Sequence, residues 1–209
     1  MSGFLRIDWA IAPQTPPRPL INCNRCGTVK AYCSSGKFRV NANGKRIDVW
    51  LIYRCVDCEN SWNFGIFERC NRRDIEPALL QALECNDPGL ARRHAFDVVA
   101  LRNRIGRVEE FPDVAVHKRR LGGTRETATA LELQLRLEMP TSLRLDRLLA
   151  SELGISRSRL QALDERRLLI VVADSANALR KPIRQGMTIR IDLAGEVDQD
   201  DIVSAAGGE

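Results

Sequence analysis

Aromatic side chains are scarce in this sequence, histidine occurs twice, and no apolar run approaches the length of a membrane span. Proteins that stack unpaired bases usually expose several aromatics, so the low aromatic content argues against a single-strand platform. Phe38, Trp50, Tyr53, Trp62 and Phe64 instead fall at strand positions where core packing is expected. His94 and His117 have no partner at metal or catalytic spacing and are assigned no chemistry. The sequence holds no G-x-S-x-G, no phosphate loop, no H-E-x-x-H and no convincing Cys/His pair, which argues against an enzyme. Asp8, Trp9 and a proline cluster from Pro13 to Pro19 stand where a signal peptide would place its apolar core, so a cytoplasmic location is expected. Neither a membrane partner nor a small-molecule substrate is inferred.

Cysteine is the residue present in pattern. Cys23/Cys26 and Cys55/Cys58 form two C-x2-C pairs with 28 residues between them. A two-residue gap lets a short turn aim both sulfurs at one point, and two such turns supply the four soft ligands of a tetrahedral Zn²⁺ site. All four ligand positions are then filled by protein, which makes the metal structural. Between the pairs, Phe38, Val40 and Ala42 alternate with polar residues, Asn43-Gly44 offers a tight turn, and Ile47, Val49, Leu51 and Tyr53 resume the alternation. The arrangement resembles the zinc-ribbon family, with Ser61 to Phe67 as a third strand. Cys33, Cys70 and Cys85 read as small buried hydrophobes. The odd total of seven cysteines suits a reducing compartment better than a disulfide framework.

The net charge of +5 is unevenly spread. Residues 1–70 carry ten Lys/Arg against five Asp/Glu, residues 71–139 twelve against eleven, residues 140–193 ten against six, and residues 194–209 none against five. The middle is read as helical. Asp74 caps a helix running to about Cys85, and Asn86-Asp87-Pro88 starts a second that runs to about Asn103 and stops at Gly106. Lys118-Arg119-Arg120 before Gly122-Gly123 reads as a solvated linker, with a phosphate contact as the alternative. Thr129 to Glu138 then alternates through Leu131, Leu133, Leu135 and Leu137, as a half-buried strand does.

Further on, Leu145, Leu148, Leu149 and Leu153 form an apolar stripe ended by Gly154, and Ser156 caps a second helix with Leu160 and Leu163 on its buried side. Leu168 to Val172 and Met187 to Leu193 read as short strands. Arg144-Leu145-Asp146, Ser156-Arg157, Pro182 and Gly186 follow in the order that resembles the ribosomal-protein S-four-type, or alpha-L, RNA-binding domain over about residues 141–193. The glycine usual after its second helix falls at Arg166 or Arg167, its Asn-Gly turn is replaced around Ala173 to Asn177, and its Gly-Asp pair is Gly186-Met187. The resemblance implies RNA contacts from Arg144, Arg147, Arg157, Arg159 and Arg166, with structured RNA or the ribosome as partner. A protein-interaction adaptor, in which both modules are purely structural, is the competing class. The combination of an N-terminal ribbon, a helical spacer and this C-terminal module also resembles, over nearly the whole chain, a bacterial family described only as a domain of unknown function.

The expected fold is therefore α+β: a zinc-ribbon sheet over residues 1–70, a helical hairpin and linker over 71–123, a strand with an alpha-L-like module over 124–193, and an acidic tail over 194–209.

Overall fold

The computed structural model describes residues 3–172 and 177–207, and the chain divides into two compact units. Thr15–Phe111 forms one; Met1–Gln14 joins Pro112–Glu209 to form the other. Among the described residues the architecture is mixed α+β, with two five-stranded sheets and six α-helices. The division does not coincide with boundaries at 70, 123 and 193. The first strand, β1 (Gly3–Pro13), pairs with strands of the C-terminal part, and the helices after residue 76 complete the core of the ribbon.

In the 15–111 unit, β2 (Arg18–Cys23), β3 (Thr28–Asn43), β4 (Arg46–Cys55), β5 (Ser61–Asn71) and β6 (Val108–Glu109) form an antiparallel sheet in the order β5-β4-β3-β2-β6. Asn43 pairs with Arg46, so the turn is Gly44-Lys45, one residue beyond the expected pair. Period-2 alternation sorts the faces: Phe38, Leu51 and Phe64 lie side by side, as do Tyr53 and Trp62, and this face carries the core. Trp50 stands opposite Arg39 on the other face, with the guanidinium carbon 6.0 Å from the ring centroid; it is the exception to the expected core packing of the aromatics.

Three helices follow where two were expected: α1 (Pro77–Glu84), α2 (Pro88–Ala95) and α3 (Val98–Ile105). The first begins after a 3-10 turn over Arg72–Asp74 that Asn71, not Asp74, caps. The second is interrupted because the Asp97 carboxylate accepts from Ala100 N and opens a new helix. Gly106 ends α3 as read. Leu80, Leu83, Leu90, Ala91, Ala95 and Leu101 seal this core.

In the other unit, β7 (Val114–Gly122), β8 (Ala128–Leu137), β9 (Leu169–Val172) and β10 (Thr188–Asp192) join β1 in the order β7-β1-β8-β10-β9. β1 runs parallel to β8 and antiparallel to β7. Leu5, Ile7, Trp9 and Ile11 meet Leu131, Leu133 and Leu135 beneath α4 (Leu145–Leu153), α5 (Arg157–Glu165) and α6 (Gln199–Gly207).

Two sequence expectations give way here. The Lys118-Arg119-Arg120 run is no linker but the middle of β7, because Lys118 sits across from Trp9, 5.1 Å from its ring, and its ammonium donates to the carbonyls of Glu152 and Ala205. Those carbonyls belong to the C-terminal turns of α4 and α6, where a cation is favoured. The acidic tail is likewise folded: Ile202, Val203 and Ala206 of α6 are buried, and Trp9 Nε1 donates to the carbonyl of Ala206 at 3.0 Å. Gly123, between β7 and β8, has φ +85°, and a Cβ there would meet the backbone of Phe4 at 2.1 Å, so only glycine fits.

Candidate metal centre and basic clefts

Each C-x2-C pair is a closed turn. Gly27 N donates to the carbonyl of Cys23 at 2.8 Å and Glu59 N to that of Cys55 at 3.0 Å, with the donors in left-handed conformation at φ 70° and 59°. Pairing of Tyr32 with Cys55 between β3 and β4 brings the two turns to one end of the sheet. All four sulfurs lie within 4.8 Å of one another, with Cys23–Cys58 at 3.5 Å and Cys26–Cys55 at 3.9 Å. A tetrahedron of thiolates with metal–sulfur bonds of about 2.3 Å has sulfur–sulfur edges of about 3.8 Å, so the donor set fits one metal ion. The cysteines are free thiols, since disulfide sulfurs stand about 2.05 Å apart.

The surroundings complete the site. Cys23 and Cys55 are buried while Cys26 and Cys58 are half-buried. The Tyr32 hydroxyl donates to Cys23 and is the main reason its thiol is lowered to about 6, whereas the hydrogen bond with Cys58 chiefly pushes Cys26 up to about 12. Arg25 donates to the carbonyl of Cys58, and Lys30 pairs with Asp57 at 2.5 Å, bracing the second turn. Such outer partners orient metal ligands. Cys33, Cys70 and Cys85 lie outside the cluster. His94 packs edge-on against Phe38, and burial lowers its pKa.

The five nominated arginines separate into three settings. Arg144 and Arg157 line one cleft of about 330 Å³, together with Arg180, Ser158, Gln161 and Asp164. Arg144 is already engaged: its guanidinium grips the buried Asp146 carboxylate at 3.1 and 2.6 Å. Arg157 and Arg180 have no ion-pair partner among the described residues. Arg147 lies on another groove, beside Leu148 and Ser151.

Arg159 and Arg166 are engaged by the chain's own acids. Arg159 grips Asp198 at 2.8 and 2.5 Å and also Glu196 at 2.8 Å, while Arg166 grips Glu196 at 3.0 and 2.7 Å. These bonds raise both guanidinium pKa values, with Asp198 the first cause for Arg159 and Glu196 for Arg166. Sequence reasoning missed Arg180, which a 3-10 turn over Ala178–Arg180 carries into the cleft and which no spacing motif marks. The turn expected around Ala173 to Asn177 falls, for residues 173–176, outside the described residues; Asn177 itself is left-handed at φ 64°. Where the glycine was expected after the second helix, Arg167 holds φ 57°.

Taken together, these features define a two-unit protein with a four-thiol metal-type cluster in one unit and an arginine-lined cleft in the other. The chain belongs to the family described as Protein of unknown function (DUF1062), whose model matches residues 40–175. The matched stretch contains the second cysteine pair and Arg144, Arg147, Arg157, Arg159 and Arg166; the first cysteine pair precedes it. Neither a comparison with curated proteins nor one with solved structures gives a match. Among the described residues, no helix is long and apolar enough to cross a membrane.

Proposed function

We propose that this protein binds structured RNA without catalysing a reaction, through the two-helix face that carries Arg144, Arg157 and Arg180, while one Zn²⁺ on Cys23, Cys26, Cys55 and Cys58 holds the other unit together. The observation that carries the RNA reading is the convergence of Arg157 and Arg180, both without a carboxylate partner among the described residues, on one cleft at the starts of α4 and α5. A-form RNA presents mainly phosphates, 2′-hydroxyls and shape, and a rigid pair of helices bearing forked guanidinium donors suits that surface. The resemblance to the alpha-L domain agrees, since Arg144-Leu145-Asp146 and Ser156-Arg157 fall at the N-terminal ends of those helices. Zinc is supported by the all-sulfur donor set and by the four sulfurs lying within 4.8 Å of one another, a combination this ion prefers.

One observation favours a second reading, the protein-interaction adaptor. The unit that carries the cleft has sixteen Lys/Arg against sixteen Asp/Glu, so no net positive field draws a polyanion to it.

The test is binding of a labelled RNA stem–loop to the full chain, comparing the parent with Arg157→Glu and Arg180→Glu. Arg144 is the poorer target, because reversing it strands the buried Asp146. Two to three phosphate contacts at roughly −0.7 to −0.9 each give a slope of log affinity against log salt of about −1.5 to −2.5. Both variants are expected to bind weakly at unchanged thermal stability. A parent that binds no stem–loop at low salt, or variants that bind as the parent does, hands the function to the adaptor reading.

A further inference from the structure

The Lys118-Arg119-Arg120 run has a second aspect that its role in β7 leaves unused. A cavity of about 520 Å³ opens beside β1 and β7, lined by Leu5, Ile7, Lys118, Arg120, Arg125 and Glu126 among others. It is separate from the cleft of Arg144, Arg157 and Arg180, with no lining residue in common.

The cations around it have different fates. Lys118 is consumed by Glu152 and by helix carbonyls, and Arg119, which also borders the cavity, meets Asp8 at 3.7 Å. Arg120 and Arg125 remain, their side chains with no ion pair or hydrogen bond among the described residues. Glu126 lines the same cavity and pairs with neither. Two guanidinium groups that line one cavity without a carboxylate partner among the described residues can both donate to an anion placed in it. The buried Leu5 and Ile7 also line the cavity, and Arg120 and Arg125 are exposed there, open to an anion from solvent.

We infer that Arg120 and Arg125 form a phosphate-binding cleft. Guanidinium forks match the tetrahedral oxygens of a phosphate in a bidentate way, and two of them can clamp a phosphomonoester, a diphosphate or a phosphodiester link. The shared chemistry is the phosphate group; its source is either a soluble phosphate compound or the backbone of an RNA. The site stands whether or not RNA binds at the helix pair.

The full chain is tested with two probes, inorganic pyrophosphate and the RNA stem–loop, by protection of individual arginines from phenylglyoxal, mapped by mass spectrometry. Arg120 and Arg125 are expected to be protected by at least one probe while exposed Arg147 keeps its reactivity. Protection by pyrophosphate identifies a soluble phosphate ligand, and protection by RNA alone identifies a backbone contact. The double variant Arg120→Gln/Arg125→Gln is expected to weaken binding of the protecting probe by about tenfold per arginine removed, at unchanged Trp9 fluorescence. If neither probe protects these two arginines, or if the double variant binds both probes as the parent does, the site is overturned. The RNA reading fails separately, by indifference of stem–loop affinity to Arg157→Glu and Arg180→Glu.

Discussion

The two units differ in what supports them. The 15–111 unit carries sixteen Lys/Arg against eleven Asp/Glu and gathers four thiols at one end of its sheet, so the surplus of five positive charges in the whole chain resides there. The other unit is balanced in charge, contains no cysteine, and closes its helices with its own ion pairs, the Arg159 and Arg166 grip on Glu196 and Asp198 above all. The net positive charge lies in one unit, while the other balances its charge yet leaves Arg120, Arg125, Arg157 and Arg180 without an ion-pair partner among the described residues. A nominated binding residue must therefore be judged by what already holds it, and that test separates Arg157 from Arg159 although both lie in the first turn of α5.

The largest expected effect breaks one unit and spares the other. A structural zinc contributes on the order of 10 kcal/mol to folding at neutral pH, so Cys55→Ser should unfold the ribbon. Trp50 and Trp62 report on that unit and Trp9 on the other, so fluorescence of single-tryptophan versions should show loss of the Trp62 environment with that of Trp9 retained. Loss of both would make the units interdependent.

A smaller effect acts on the balanced unit. Arg159→Ala leaves Glu196 and Asp198 short of donors and should lower its stability by about 1–2 kcal/mol, read from urea unfolding followed at Trp9. The same pairs set an acid limit. Arg166 first and Arg159 second hold the Glu196 carboxyl below the ordinary carboxylate range, and Arg159 does the same to Asp198. The unfolded chain then takes up protons at a pH where the folded chain does not, so this stabilisation is complete above the ordinary carboxylate values and is lost as pH falls through the depressed ones. In Arg159→Ala the urea midpoint should depend less on pH in that window. An unchanged dependence would show that the pairs contribute nothing to folding.

Two substitutions are expected to stabilise. The Tyr53 hydroxyl is buried without a hydrogen-bond partner among the described residues, and burial raises its pKa. Tyr53→Phe should therefore raise the ribbon's stability by about 1 kcal/mol, with the ring contacts to Trp62 and Phe64 kept. A loss of stability would reveal an unseen partner for the hydroxyl. The smallest change is in the other unit, where Arg167→Gly relieves a left-handed residue at φ 57° and should add about 0.5–1 kcal/mol in the same urea assay.

What the sequence revealed depended on distance along the chain. The cysteine knuckles, the hairpin and the paired leucine helices are set by neighbours a few residues apart, so ligand spacing, alternation and caps expose them. β1 carries an equally plain signal in Leu5, Ile7, Trp9 and Ile11, yet its membership in the far unit depends on pairing with Leu131, Leu133 and Leu135, which no local pattern encodes. The same limit applies to the arginines. Positions in a resembling motif nominate Arg159 and Arg166, but the carboxylates that take them up arrive from the segment leading into α6. Arg180 entered the cleft by the reverse route, carried there by a turn outside any helix pattern.

Amide hydrogen exchange of the full chain before and after metal removal by a chelator tests the central contrast most directly. The account predicts one zinc per chain in protein purified without chelator and, once it is removed, loss of protection in β2, β3 and β4 while β1, β8 and β10 keep theirs. Absence of zinc, or an exchange pattern that chelation leaves unchanged in β2 to β4, would contradict it.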